Sequence, residues 1–161
     1  MQNLECRIIA MAPGGLDGAR LVVAAGRAGA LGVLDLTGLA GSAKLDRLGN
    51  KFDRPFGIRI NGRTLAMPRP SLRHDQLKVM IVVEAPGINW ASALGAIRRL
   101  RRTALAEVTS SDSARLAADS GFDGLILAGH EGGGRVSRRA VARLERNTYR
   151  ALGACVPPVG S

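Results

Sequence analysis

Six short runs of β-favouring residues recur along the chain: Arg7–Ala12, Leu31–Leu36, Phe56–Ile60, Val79–Glu84, Ala104–Thr109 and Gly124–Ala128. Their starts lie 24, 25, 23, 25 and 20 residues apart. The apolar positions run on rather than alternate, the pattern of strands buried on both faces, as in parallel sheets. Helix signals fill most of the gaps. Asp17 is placed to cap a helix through Ala28, with Leu21, Val22 and Ala25 inside and Gly29 just past the end. Ser42 starts a second one carrying Leu45 and Leu48. From Ile88 to Leu100, the residues Ile88, Ala91, Leu94 and Ile97 form one stripe. Ser110 or Ser111 caps a helix with Ala114, Ala117 and Ala118, ended by Gly121. The stretch Asn61–Leu77, with Pro68 and Pro70, reads as a loop plus a short helix.

Strand–helix units of about 25 residues make parallel sheets through right-handed crossovers. The fold class is therefore α/β, a parallel (β/α) repeat in a single domain over residues 1–161. A doubly wound sheet and part of a (β/α)8 barrel both fit the spacing. A complete barrel takes about 250 residues, so six units are either an open sheet or three-quarters of a barrel.

Composition narrows the class of protein. The chain is 46% hydrophobic but only 3% aromatic, so its core is aliphatic. No apolar run approaches the roughly 18 residues of a membrane span. Cys6 and Cys155 lie at opposite ends without metal-ligand spacing and read as free thiols of a reducing cytoplasm. A net charge of +10 raises the question of nucleic acid. Yet all but three of the 23 basic residues are Arg, and no aromatics are interleaved for base stacking. One cluster is Arg98, Arg99, Arg101 and Arg102; another runs from Arg135 to Arg150, mostly on an expected basic helix and tail over 136–161. A solvated helix face, or a face for a partner surface, accounts for them better than nucleic acid.

In either architecture the loops after the strands carry the chemistry. The first is Ala12-Pro13-Gly14-Gly15, whose small side chains let a planar ligand lie against the backbone. Arg59-Ile60-Asn61-Gly62 is first of all a turn. Glu107 interrupts an apolar run, so it either faces the site or pairs with an Arg, because an unpaired buried carboxylate is too costly. Glu84, at a strand end, fits either a site or simple exposure. The last strand runs into Gly129-His130-Glu131-Gly132-Gly133-Gly134-Arg135, where glycines let backbone N–H groups approach an anion. No Ser/His/Asp or Cys/His constellation and no metal cluster can be built from two His and two distant Cys.

Taken together, Ala10-Met11-Ala12-Pro13-Gly14-Gly15, Ala28–Leu34, Arg54-Pro55-Phe56-Gly57, Glu107-Val108-Thr109-Ser110 and Gly129–Arg135 make the chain resemble the nitronate monooxygenase (2-nitropropane dioxygenase-like) flavin barrels. That group includes a flavin-dependent enoyl-acyl carrier protein reductase. The form Gly-His-Glu-x-Gly-Gly-Arg is most similar to the version found as a domain of multienzyme polyketide synthases. The resemblance implies the N-terminal six units of a TIM-barrel-like flavin domain, with FMN at the C-terminal ends of the strands. Ala12, Pro13, Gly14 and Gly15 would lie beside the isoalloxazine, Glu107 near the flavin, and Gly129, Gly133 and Gly134 in the loop closing over it. Arg135 stands where nitronate monooxygenases carry their catalytic His, and His130 lies five positions earlier. An Arg, with a pKa above about 12, is no general base near neutral pH, but it can hold a carboxylate, phosphate or enolate oxygen.

The resemblance thus implies an FMN-dependent oxidoreductase domain acting on small-molecule or acyl substrates beside other synthase domains. The alternative is a non-catalytic structural or docking domain with a degraded flavin site. Flavin barrels hold phosphate on the loops after strands seven and eight, beyond the six units seen here. Two lost charge-assisted hydrogen bonds of about 1.5–3 kcal/mol each would weaken FMN binding by roughly 100-fold or more. Weak FMN binding and self-association through unpaired sheet edges are the expectations for the 161-residue chain.

Overall fold

The structure is a computed structural model that describes residues 8–11, 18–38, 45, 48, 52–65, 72 and 74–129. Its elements are β1 (Ile9–Met11), α1 (Ala19–Arg27), β2 (Leu31–Asp35), β3 (Phe56–Ile60), α2 (Gly62–Leu65), β4 (Leu77–Val83), α3 (Trp90–Arg98), β5 (Thr103–Val108), α4 (Ser111–Asp119) and β6 (Gly124–Leu127). Every strand pairing is parallel, and the order is β1-β2-β3-β4-β5-β6. Each strand lies beside its successor in sequence. That order excludes the doubly wound sheet and makes a curled, six-strand part of a (β/α)8 barrel.

Two apolar layers follow from the alternation of side chains along each strand. Leu34, Leu36, Phe56, Ile58, Ile60, Met80, Val82, Ala104, Ala106 and Val108 point outward into the core shared with the helices. Leu31, Val33, Val79 and Ile81 point inward, with Leu105 and Ile126 packed against them. Strands β2 and β4 are buried almost throughout, as their unbroken apolar runs require. The end strands β1 and β6 are more open, and Ile9 and Met11 of β1 remain exposed.

The helices match the sequence pattern with two corrections. Helix α1 begins at Ala19 with Gly18 as its N-cap; Asp17, expected to cap it, lies outside the described residues. It buries Ala19, Val22, Ala25 and Gly26, whereas Leu21, expected inside, is exposed. A stripe at 19, 22 and 25–26 turns position 21 about 100° away from the sheet. Helix α3 is capped by Asn89, whose side chain accepts from the Ser92 N–H at 2.9 Å. Its buried stripe is Trp90, Ala93, Leu94 and Ile97, and Ala91 is exposed. The Trp90 ring decides that rotation by packing edge-on against Phe122 with centroids 5.5 Å apart. Ser110 caps α4, and Gly121 ends it at φ +92°. Leu45 and Leu48 are helical and buried; the rest of the segment expected from Ser42 and the basic helix over 136–161 lie outside the described residues.

Helix α1 approaches β2 too closely for any side chain at Gly32. A Cβ there would sit 2.6 Å from Val22 Cα and 2.8 Å from Val22 O, both backbone atoms that cannot swing aside. Gly95 in α3 has nothing within 4 Å of that position. Gly32→Ala is expected to destabilise the fold by about 1–3 kcal/mol through overpacking. Gly95→Ala should stabilise it by about 0.5–1 kcal/mol through helix propensity. Urea midpoints of the two variants test both signs.

Candidate functional site

Among the described residues, inward-facing strand positions carry charge only at the C-terminal ends of the strands. In β2 the inward series Leu31, Val33 ends at Asp35; in β3 Gly57 is followed by Arg59; in β5 Leu105 is followed by Glu107. Asp35 and Arg59 are partners in the β2–β3 register. Glu107 lies two strands from Arg59, about 10 Å away across a sheet with strands spaced near 4.8 Å. Two long side chains projecting into a concave interior bridge that gap.

Arg59 Nε donates to Glu107 Oε2 at 2.7 Å and Nη2 donates to Oε1 at 2.6 Å, a side-on bidentate pair. Its Nη1 donates to Asp35 Oδ2 at 3.1 Å. Asp35 Oδ1 accepts from the Thr37 N–H at 2.8 Å and the Thr37 hydroxyl at 2.7 Å. Asn61 Nδ2 donates to the Thr37 carbonyl at 2.9 Å, tying the loop after β3 to the loop after β2. Both carboxylates are buried, at 4% exposure. The hydrogen bond to Glu107, and then the charges of Glu107 and Asp35, raise the Arg59 pKa above its ordinary value against the opposing effect of burial. Arg59 is therefore cationic at any physiological pH, and the trio carries a formal charge of −1.

Glu84 makes a separate structure just beyond β4. Its Oε2 accepts from the Thr109 N–H at 2.6 Å and the Thr109 hydroxyl at 2.7 Å, and its Oε1 accepts from the Ser113 hydroxyl at 2.5 Å. A carboxylate there satisfies the start of α4 and is favoured by the helix dipole. Glu84 is thus neither a free strand-end residue nor an inward acid; it clamps the β5–α4 turn.

Of the residues singled out in the sequence, Glu107 lies in the inward layer and is paired with an Arg, one of its two readings. Gly129 is buried just past β6. Ala12, Pro13, Gly14, Gly15, His130, Gly133, Gly134 and Arg135 lie outside the described residues. Asp35 and the role of Arg59 escaped the sequence reading. The signal was present: Asp35 interrupts Leu34 and Leu36 as Glu107 interrupts its own strand, and the same demand for a buried partner applies. Among the described residues no group of His, Cys, Asp or Glu can hold a metal ion, and no helix is long and apolar enough to cross a membrane.

Removing Arg59 leaves two buried carboxylates without their shared cation. Arg59→Met should cost about 3–5 kcal/mol, and Arg59→Lys less, because charge survives while the fork is lost. The raised Arg59 pKa fixes the pH sign. Its contribution is complete below the unfolded value and is lost only as strongly alkaline pH passes the folded one. The wild-type minus Arg59→Met difference at fixed carboxylate charge should hold steady from neutral to mildly alkaline pH; guanidinium unfolding at several pH values measures it.

No family model and no curated protein sequence matches the chain. Solved structures do. FabK from Thermotoga maritima superposes with a TM-score of 0.71 at 21% identity, over 95% of this chain and 49% of that one. A point mutant of the same FabK gives a TM-score of 0.72 at 20% identity, over 95% and 52%. A nitroalkane oxidase from Streptomyces ansochromogenes gives 0.66 at 21% identity, over 91% and 56%. The chain spans about half the length of these structures. At such identity the likeness is one of fold: six consecutive parallel (β/α) units of the barrel that FabK and nitroalkane oxidase share.

Proposed function

We propose that the chain is part of an FMN-dependent oxidoreductase of the nitronate monooxygenase-like kind, acting on small acyl or nitronate-like molecules in a polyketide- or fatty-acid-synthase-like system of the cytoplasm. The observation that supports this reading most is the confinement of inward charge to one layer at the C-terminal ends of the strands, where barrels of this fold keep their chemistry. Among the described residues of the family-like motifs, Glu107, Val108, Thr109, Ser110 and Gly129 lie at that same end.

The donor set suits a flavin. Among the described residues Arg59 engages three of its five N–H groups, and each Glu107 oxygen keeps acceptor capacity beyond its bond to Arg59. A guanidinium beside a carboxylate offers donors and an acceptor, which complements the carbonyls and ring N–H of a pyrimidine edge. Gly38 and Gly87, on the loops after β2 and β4, and Gly62, at the start of α2, each have open space where a Cβ would be. Bound there, FMN would supply hydride or single-electron chemistry. Ala12–Gly15 would offer backbone beside its ring, and Gly129, Gly133 and Gly134 would let N–H groups approach it. Arg135 would hold an anionic oxygen of the substrate and His130 would be the group able to move a proton.

One feature favours the rival reading of a structural or docking domain. The trio satisfies itself, as a purely structural tie would. FMN titration of the chain, followed by flavin fluorescence, separates the two. Saturable binding, even weak, supports the flavin reading; no saturation up to millimolar FMN supports the rival. The chain should also associate with itself, because Ile8, Ile9 and Met11 leave β1 apolar and exposed at one end of the sheet. Sedimentation velocity should show species larger than a monomer whose share grows with concentration.

A further inference from the structure

Three helix-to-strand turns at the N-terminal end of the barrel pass through a left-handed residue, and in one of them that residue carries a side chain. Gly29, at φ +80°, stands between α1 and β2, and Gly121, at φ +92°, between α4 and β6. Between α3 and β5 the same conformation falls to Arg101, at φ +54°. Glycine adopts it freely, whereas a residue with a Cβ is strained there. We propose that Arg99 and Arg101, with Arg102 beside them, form a docking site for an acidic segment of a protein partner, at the end of the barrel opposite the candidate flavin site. The site stands apart from the flavin reading and does not depend on it.

The four arginines around this turn are held very differently. Arg98 is tied to Asp123 and to the Gly121 carbonyl. Arg99 and Arg101 are exposed, and among the described residues their side chains make no hydrogen bond or ion pair. Arg102 is half-buried. Its Nη2 donates to the His74 carbonyl at 3.3 Å, and its buried Nε has no partner. An unsatisfied buried donor is costly, and a carboxylate that draws the guanidinium outward relieves that cost. The dipole of α3 accounts for cations in its last turn, but not for a strained one beyond its end. Arginine forks match carboxylates two hydrogen bonds at a time. A nucleic acid fits this corner less well. Asp75, Asp119 and Asp123 are exposed at the same end and break up any continuous track for a phosphate backbone. Phe122, in the adjoining turn, packs against Trp90 and offers no platform for a base. A short segment with a few carboxylates can meet Arg99, Arg101 and Arg102 between those acids.

The test is the fluorescence anisotropy of a labelled deca-glutamate peptide titrated with the full chain at low ionic strength. Arg99→Gln combined with Arg101→Gln should weaken binding roughly tenfold, the loss of two exposed ion pairs. Arg20→Gln combined with Arg27→Gln removes the same charge from exposed positions of α1 and should weaken it less than about twofold. Arg101→Gly separates backbone from side chain: it should raise the urea midpoint and still weaken the peptide. Equal losses in the two double variants, unchanged binding by Arg101→Gly, or no saturable binding by the wild-type chain overturns the inference. So does a short duplex DNA that binds more tightly than the peptide through the same arginines, since it reassigns the corner to nucleic acid.

Discussion

The bond from Arg59 to Glu107 spans an intervening strand, and much else in the structure is arranged so that it can. Strands β3 and β5 are not neighbours, and β4 lies between them. Their inward side chains meet because the sheet is concave, and the interior beneath them is filled by Leu31, Val33, Val79 and Ile81. That apolar floor excludes water from the ion pairs and makes each carboxylate costly unless paired. Once formed, the tie links β2, β3 and β5 at the end where their loops emerge. A buried ion pair adds little net stability compared with apolar packing of the same volume. Its retention in the inward layer therefore speaks for charge at that position rather than for stability alone.

The curl that brings the trio together is set outside the barrel. Helix α1 rests on Gly32 with its own backbone nearly in contact, so β2 is pulled close to the helix layer. A Cβ at Gly57 on the inward face would sit 3.1 Å from Val33 Cγ2 and 3.3 Å from Val79 O, so a larger residue directly below Arg59 would be tight. The register of β3 and β4 shifts at the same place, between Phe56 and Gly57. Such an irregularity increases local twist and re-aims the residues beyond it. A close helix, a small inward residue and a shift of register thus converge on the strand that carries the central cation.

Strand positions were legible because buried parallel strands read as unbroken apolar runs; Phe56–Ile60 has the bounds expected, and the other runs differ by one or two residues within the described part. Helix rotation was less legible. Leu21 and Ala91 are apolar and fit a stripe by spacing, but the rotation is fixed by what the sheet admits, Gly32 under Val22 and Phe122 under Trp90. The site was half legible. Glu107 declared itself by breaking an apolar run. Asp35 does the same, but at a strand end, where an acid passes for a solvated one. Arg59 precedes an Asn-Gly turn signal that offered a sufficient account of it. Partners separated by 24 and 48 residues become visible only when strand order is known.

The polar residues at the two ends of the barrel differ in kind, and the difference bears on function. At the N-terminal end they are mostly spent on backbone. Asp123 takes the Ala104 N–H, Arg98 reaches the Gly121 carbonyl, and Arg102 reaches the His74 carbonyl. The ion pair of Arg98 with Asp123 there leaves the Arg side chain half exposed, where such a pair contributes little. These bonds fix chain direction at the start of strands and need no ligand to explain them. At the C-terminal end the bonds of Arg59 to Glu107 and Asp35 run from side chain to side chain and are buried. A fold that needed only closure would be served by the first kind. Buried ion pairs at the mouth of the barrel stand where this fold keeps its chemistry, which is why the flavin reading is argued from this layer rather than from the glycine-rich loops alone.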